Sequence, residues 1–344
     1  MADAATPVEL DAERDLVVIG ASAGGVETLK RVVAGLPADF PAAICIVLHI
    51  APDSPSLLAR ILARSGPLPC KPAGDGEVLR RGQILVAPPD RHLLVEDDRV
   101  QLTVGPRENG HRPAVDVLFR SAAQAKGGRV IGVILSGTRG DGTVGLAAVK
   151  SSGGAAIVQD PTEALYAGMP ATALAHVAVD AVVPSELVAK TIVAMVRGED
   201  PPPAARHTQP ERDPSAGDPG VTVCPECGGV LSERPEAGIA VWECRVGHRY
   251  SPESLVDAQA DGVEAALWTA VRALEDRSRL LERMADQVES QGQMRTARSF
   301  RRRASSARDE ADAVRHALAQ SAEITLRKVA DADTERVAGN GGRE

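Results

Sequence analysis

The sequence predicts an α/β protein: a doubly wound, mostly parallel sheet with an antiparallel extension, then a small zinc-ribbon-like module, then an α-helical hairpin. Three observations lead there. Apolar runs at 16–19, 42–48, 129–135, 155–159 and 178–183 alternate with segments of helical spacing, the pattern of βαβ units. Cys224-x2-Cys227 and Cys244-x3-His248 lie 16 residues apart, beyond a stretch rich in Pro, Asp and Gly. After about residue 253, apolar residues recur every seven positions.

In chain order, residues 1–14 are small and polar and read as a mobile lead-in. Asp15-Leu-Val-Val-Ile-Gly-Ala-Ser22 is an apolar strand ending in small residues, and Val26, Leu29, Val33 and Leu36 then follow a helical period. Ser22 therefore sits on a tight strand-to-helix turn. Ala42–His49 reads as a second buried strand and Leu57–Leu62 as a helix, and this alternation implies parallel pairing with a right-handed crossover. Between about 65 and 105 the pattern shortens to strand runs at 83–90, 92–96 and 99–104, with Asp97-Asp98 at a hairpin turn, which predicts the antiparallel extension. Helices are expected at 114–125, 142–151 and 185–197, separated by the remaining buried strands. The first domain is thus 15–197.

Residues 198–220 lack apolar periodicity and read as a linker. The module at 221–252 holds three of the five cysteines, with Cys45 and Cys70 standing alone, which suits a metal site better than a disulfide framework. From 253 to 330, Leu267, Leu274, Leu281 and Val288 form one seam with Val263, Ala270 and Met284 beside it. Phe300, Ala304, Ala307, Ala311, Val314 and Leu318 form another beyond Gly292, predicting two antiparallel helices, and the last 15 or so residues read as disordered.

Composition narrows the function classes. A hydrophobic content of 44% supports a packed core, and aromatics at 2% require that core to be aliphatic. The net charge of −8 argues against nucleic-acid binding. Arg295, Arg298, Arg301, Arg302 and Arg303 read as a solvated helix face with acidic neighbours. With no signal-like N-terminus and no run of about 18 apolar residues, no membrane insertion is expected and the default location is cytoplasmic.

Gly20-Ala-Ser22-Ala-Gly24 fits the G-x-S-x-G elbow, which lifts a serine hydroxyl clear of the sheet while the following helix aims free N–H groups at it. A phosphate-binding turn is the competing reading of the same glycines. Against it, the spacing is not G-x-G-x-x-G, and His49 stands where a dinucleotide site would want an acid. Ser22, His49 and Asp141 each follow a predicted parallel strand, and such ends converge on one crevice. A serine, a histidine to take its proton and a carboxylate to orient the histidine are the needs of acyl transfer. The order Ser, His, Asp differs from that of the α/β-hydrolases, implying a distinct serine esterase.

Gly20–Gly25, Leu48-His-Ile-Ala-Pro52, His111-Arg-Pro-Ala-Val-Asp-Val-Leu-Phe119, Leu135-Ser-Gly-Thr-Arg-Gly-Asp-Gly142 and the run from Gln159 through Gly168-Met-Pro170 together resemble the CheB-type chemotaxis protein-glutamate methylesterase catalytic domain, over about residues 15–197. The resemblance implies Ser22 as nucleophile, His49 as general base and Asp141 as the group orienting it. It further implies hydrolysis of glutamate γ-methyl esters on the cytoplasmic helices of methylated chemoreceptors, with methanol released and receptor glutamines sometimes deamidated. No cofactor is expected for that catalysis. Regulated members begin with a receiver domain, which 14 residues cannot hold, so a separate regulator or chemosensory partner is expected. The family often carries Met where Thr138 stands, and a backbone N–H donor at the oxyanion would be indifferent to that change. Arg112 is a candidate for meeting acidic groups on the receptor, against the plainer reading of a solvated loop arginine.

Cys224, Cys227, Cys244 and His248 supply three thiolates and an imidazole, a closed tetrahedral set for structural zinc. The helical hairpin reads as packing or self-association, with docking on a helical receptor as the functional alternative. Two other functions stay open at this stage: a serine hydrolase or amidase acting on another protein, and a non-catalytic adaptor in a chemosensory array.

Overall fold

A computed structural model describes residues 14–52, 57–207 and 222–339. Up to Ala258 these residues form one compact unit, and from Gln259 a second.

The first unit begins β1 (Leu16–Ala21), α1 (Gly25–Ala34), β2 (Ala43–Leu48) and α2 (Leu58–Leu62), each within two residues of the sequence expectation. Two short strands follow, β3 (Cys70–Pro72) and β4 (Ile84–Val86), then the hairpin β5 (His92–Glu96) and β6 (Arg99–Thr103). Next come α3 (Val115–Lys126), β7 (Val130–Ile134), α4 (Thr143–Ser151), β8 (Ala155–Gln159), α5 (Gly168–His176), β9 (Val179–Val183), α6 (Ser185–Arg197) and β10 (Ala205–His207). The main sheet runs β10-β9-β8-β7-β1-β2-β4-β3 and is parallel throughout except for β10, which pairs antiparallel with β9.

Two local expectations are corrected. The hairpin β5–β6 does not extend the main sheet but forms a two-stranded sheet of its own, while 83–90 contributes β4, a parallel strand beside β2. Short apolar runs carry no sign of the partner they will choose. The expected linker also contains β10, which covers the β9 edge; its continuation to residue 220, like the lead-in at 1–13, lies outside the described residues.

Strands β1, β2, β7 and β8 are buried on both faces, as parallel strands between two helical layers must be. Val17, Ile19, Ile44 and Ile46 face the layer of α1, α2 and α6, and Leu16, Val18, Cys45 and Val47 face α3, α4 and α5. The chain runs outward from β1 through β2 to β4 and later returns to β7 on the other side of β1. Crevices form at such reversals of strand order, beyond the carboxyl ends of the strands.

The cysteine-bearing segment forms a three-stranded antiparallel sheet of β11 (Leu231–Glu236), β12 (Ile239–Cys244) and β13 (Arg249–Tyr250). Ala237 and Gly238, with φ of 48° and 78°, make the two-residue turn that matches strand twist. Ile239 and Val241 are buried in the same cluster as Leu118, Phe119 and Val144, so this small sheet shares a core with the large one.

Helix α7 (Pro252–Ser290) starts in the first unit, and α8 (Met294–Gly339) follows a turn at Gly292. Within the second unit Glu289 pairs with Arg301, Glu282 with Arg308 and Glu275 with Arg315, a progression that makes the helices antiparallel. The seam of Leu274, Leu281 and Val288 is correct, but its companion is Val271, Ser278 and Ala285, all buried, while Val263 and Met284 are exposed. The alanines of α8 explain the choice. Ala297, Ala304, Ala307 and Ala311 let the helices approach until Ser278 donates to the Ala304 carbonyl at 2.9 Å, a contact that a seam of larger residues would prevent. The tail expected to be disordered is helical to Gly339, because nothing from Met294 to Ala338 is Gly or Pro; residues 340–344 lie outside the described residues.

Candidate active site

Ser22, His49 and Asp141 meet at the carboxyl ends of β1, β2 and β7, as their positions in sequence predicted. Backbone hydrogen bonds continue the strand pairing into the loops: Leu135 donates to Gly20 O at 2.9 Å, Ser22 to Ser136 O at 3.0 Å and His49 to Ala21 O at 3.2 Å. The site is thereby an extension of the sheet and inherits its rigidity. Gly24, with φ of 73°, allows the abrupt entry into α1.

His49 Nε2 lies 2.7 Å from Asp141 Oδ2 and His49 Nδ1 lies 3.1 Å from Ser22 Oγ. A carboxylate only accepts, so Nε2 carries the hydrogen and Nδ1 is free to accept from the serine hydroxyl. The ring is used in the reverse sense to the serine proteases, where Nε2 faces the serine.

Asp141 is fully buried and saturated. Besides His49, it accepts from Val115 N at 2.7 Å and Asp116 N at 3.2 Å, the first amides of α3, and from Asn109 Nδ2 at 2.9 Å. Burial alone would raise its pKa, but the hydrogen bond and charge of His49 and the Val115 N–H hold the carboxyl well below the usual carboxylate range. Asp116 moves the other way. Burial and the neighbouring Asp141 charge raise its carboxyl well above the usual range, although Gly145 N donates to it at 2.7 Å.

Two contributors carried no role in the sequence reading. His111 stacks on His49 with ring centroids 3.6 Å apart and planes 13° from parallel, limiting how the base can turn. Burial, followed by repulsion from His49, pushes His111 down to about 3, so it is neutral at physiological pH. Asn109 is buried and joins Asp141 to Asp116, donating to the latter at 2.8 Å. His111 lay inside a recognised motif, whereas Asn109-Gly110 by itself signals only a turn. Arg112, expected in solvent or facing a receptor, is instead engaged with Asp90 at 2.6 Å and the Gly105 carbonyl at 2.9 Å.

The second constellation also assembles. The ligand atoms of Cys224, Cys227, Cys244 and His248 lie within 4.8 Å of one another. His248 Nδ1 is 3.6 Å from Cys224 Sγ and 3.5 Å from Cys244 Sγ, and Cys227 Sγ is 3.7 Å from Cys244 Sγ. Tetrahedral zinc, with bonds of about 2.3 Å to sulfur and about 2.0 Å to nitrogen, sets ligands about 3.6 to 3.8 Å apart. The four residues could therefore hold such an ion. His248 Nε2 faces Glu226 at 3.4 Å, the carboxylate partner that metal-binding imidazoles commonly have.

A parallel α/β sheet with a serine, histidine and aspartate hydrogen-bonded in series at its carboxyl edge is the arrangement of a serine hydrolase. The family model described as CheB methylesterase matches residues 17–192, just over half the sequence, and the chain belongs to that family. A relative from Leptospira interrogans is 39% identical over 182 residues, which cover 53% of this chain and 94% of its own. A protein-glutamate methylesterase/protein-glutamine glutaminase from Anaeromyxobacter dehalogenans is 41% identical over 184 residues, spanning 53% of this chain and about half, 54%, of that relative. The solved catalytic domain of the Thermotoga maritima CheB methylesterase is 33% identical, with a TM-score of 0.51 over 54% of this chain and 100% of that domain. The cysteine–histidine sheet and the helical hairpin lie beyond the matched residues.

Proposed function

We propose that the chain is a protein-glutamate methylesterase that hydrolyses glutamate γ-methyl esters on chemoreceptor helices through Ser22, His49 and Asp141. The observation that carries this is the continuous hydrogen-bonded series from Ser22 Oγ through His49 to Asp141. Ser22 Oγ attacks the ester carbonyl as its proton passes to His49 Nδ1. The imidazolium formed is stabilised by Asp141, whose own proton affinity is too low to take that proton. The tetrahedral oxyanion is held by backbone N–H groups near the start of α1. His49 returns the proton to the departing methoxide, methanol leaves, and water attacks the acyl-serine by the same steps in reverse. The names of the relatives favour a second use of this site, deamidation of receptor glutamines, in which ammonia leaves instead.

Structural zinc held by Cys224, Cys227, Cys244 and His248 belongs to the same proposal, and a metal content near one per chain in purified protein is the expected result. Among the described residues no helix is long and apolar enough to cross a membrane.

Methanol release from a methylated receptor cytoplasmic fragment tests the activity. The wild-type chain should release it and Ser22→Ala should fall by at least about a thousandfold. Equal release by both proteins would exclude the serine mechanism.

A further inference from the structure

Asn109 is tied at both ends. Its side-chain amide nitrogen donates to Asp141 and Asp116, while its Oδ1 accepts from the backbone N–H of Ser251 at 2.9 Å. Its own backbone N–H donates to the Arg249 carbonyl at 2.7 Å. Arg249 follows His248 directly and Ser251 comes two residues later, so only Arg249 and Tyr250 separate a metal-ligand position from the donor that fixes Asn109.

The Ser251 N–H does more than fill a hydrogen bond. An amide turned by half a rotation would present its oxygen to Asp141 and Asp116 and its NH2 to another donor. The backbone of β13 and the residue after it therefore select the sense in which Asn109 faces the carboxylate that orients His49. Further contacts hold the two parts together. Glu108 pairs with Arg120 at 2.7 Å, Arg120 approaches Glu236 of β11 at 3.6 Å, and His176 Nε2 lies 2.6 Å from Glu253. A cavity of about 10 Å³ at the junction is lined by Asn109, Asp116, Arg249 and Ser251 among others.

We propose that the cysteine–histidine sheet is a positioning element of the esterase, with Asn109 as the positioning residue that carries the order of the metal-ligand loop to Asp141. The proposal rests on the reading of Ser22, His49 and Asp141 as the reacting series. With the four ligands held, the stretch from His248 to Ser251 is fixed and Asn109 has one orientation. With the ligands released, Tyr250 and Ser251 lose the anchor at His248 and the amide is free to turn. The base then loses alignment, so turnover falls while substrate binding is little affected.

The test uses the full chain loaded with zinc and then stripped with a chelator. Two quantities are followed: methanol release from a methylated receptor fragment, and the downfield proton NMR signal of the His49–Asp141 hydrogen bond, which needs no substrate. Stripping the wild type should lower kcat about 10- to 100-fold, the size of effect that outer partners of a polar site carry, with KM within about twofold. The NMR signal should shift or broaden, and added zinc should restore both. Asn109→Ala should keep its zinc, start with the lowered kcat and an altered signal, and change less than about twofold on stripping. An unchanged kcat and signal in the stripped wild type, or a full-sized further loss in Asn109→Ala, would overturn the proposal. If stripping abolishes the cooperative thermal transition, zinc-loaded Asn109→Ala decides alone: a kcat and signal like those of the wild type reject the coupling. Should the loaded wild type release no methanol, it is the activity that fails, and the NMR comparison still decides whether the metal site reaches Asp141.

Discussion

Gly137 lies so close to Ser22 that an added β-carbon would stand 2.8 Å from the serine Cβ and 2.1 Å from Met169 Sδ. Something must move, and Ser22 is on the side where movement matters. Gly137→Ala should lower methanol release by about 100-fold or more, since displacement of a reacting atom by an ångström has that cost. Its stability loss should stay within about 1 to 3 kcal/mol, the usual range for overpacking, as read from urea unfolding. His111 makes a different prediction. Its imidazole sits near 3 in the folded chain, because of burial first and His49 second, and near 6.5 when unfolded. Between those values the unfolded chain binds a proton that the folded chain refuses. The contribution is therefore intact above about pH 6.5 and is lost as pH falls towards 3, with a ceiling on the order of 5 kcal/mol. His111→Phe, which keeps a ring against His49, should flatten the dependence of the urea midpoint on pH across that window. An equally steep curve would assign the acid sensitivity elsewhere.

At the scale of elements, Asp141 is as much the cap of α3 as a partner of His49, for the first two amides of that helix donate to it. Asp141→Asn places an NH2 where His49 or those amides need an acceptor. Turnover should fall by about 10⁴-fold through the wrong imidazole tautomer, and the thermal transition should also drop, by an amount equivalent to about 1 to 3 kcal/mol. A loss of turnover with an unchanged transition would show that the helix finds another cap. Much of this was legible in the sequence because Ser22, His49 and Asp141 each follow a buried strand, and parallel pairing leaves one edge on which they can gather. Asn109 and His111 were not, since their importance comes from what lies above and below them across 30 to 140 residues of chain. The hairpin β5–β6 was recognised as a hairpin but assigned to the wrong sheet, because its alternating pattern specifies a buried face and not a neighbour. The seam of α7 went astray for a related reason: Val263 and Met284 are more apolar than Ser278, but only Ser278 is small enough for the contact that forms.

Across the whole molecule, the fold separates what the reaction touches from what keeps the reacting groups in place. Ser22, His49 and Asp141 come from within the first 141 residues, while the support of Asn109 reaches to Ser251. The central pairing of β1 with β7 joins Leu16 to Val130, and Asp141 does not reach His49 until that long loop has closed. Closing so long a stretch is entropically costly and slow compared with forming a helix or hairpin. A chain emerging from the ribosome can therefore display its serine elbow, complete with α1, well before it has an esterase. During refolding from denaturant, helical signal should return first and methanol release last, so that an unregistered sheet has no opportunity to hydrolyse the wrong ester.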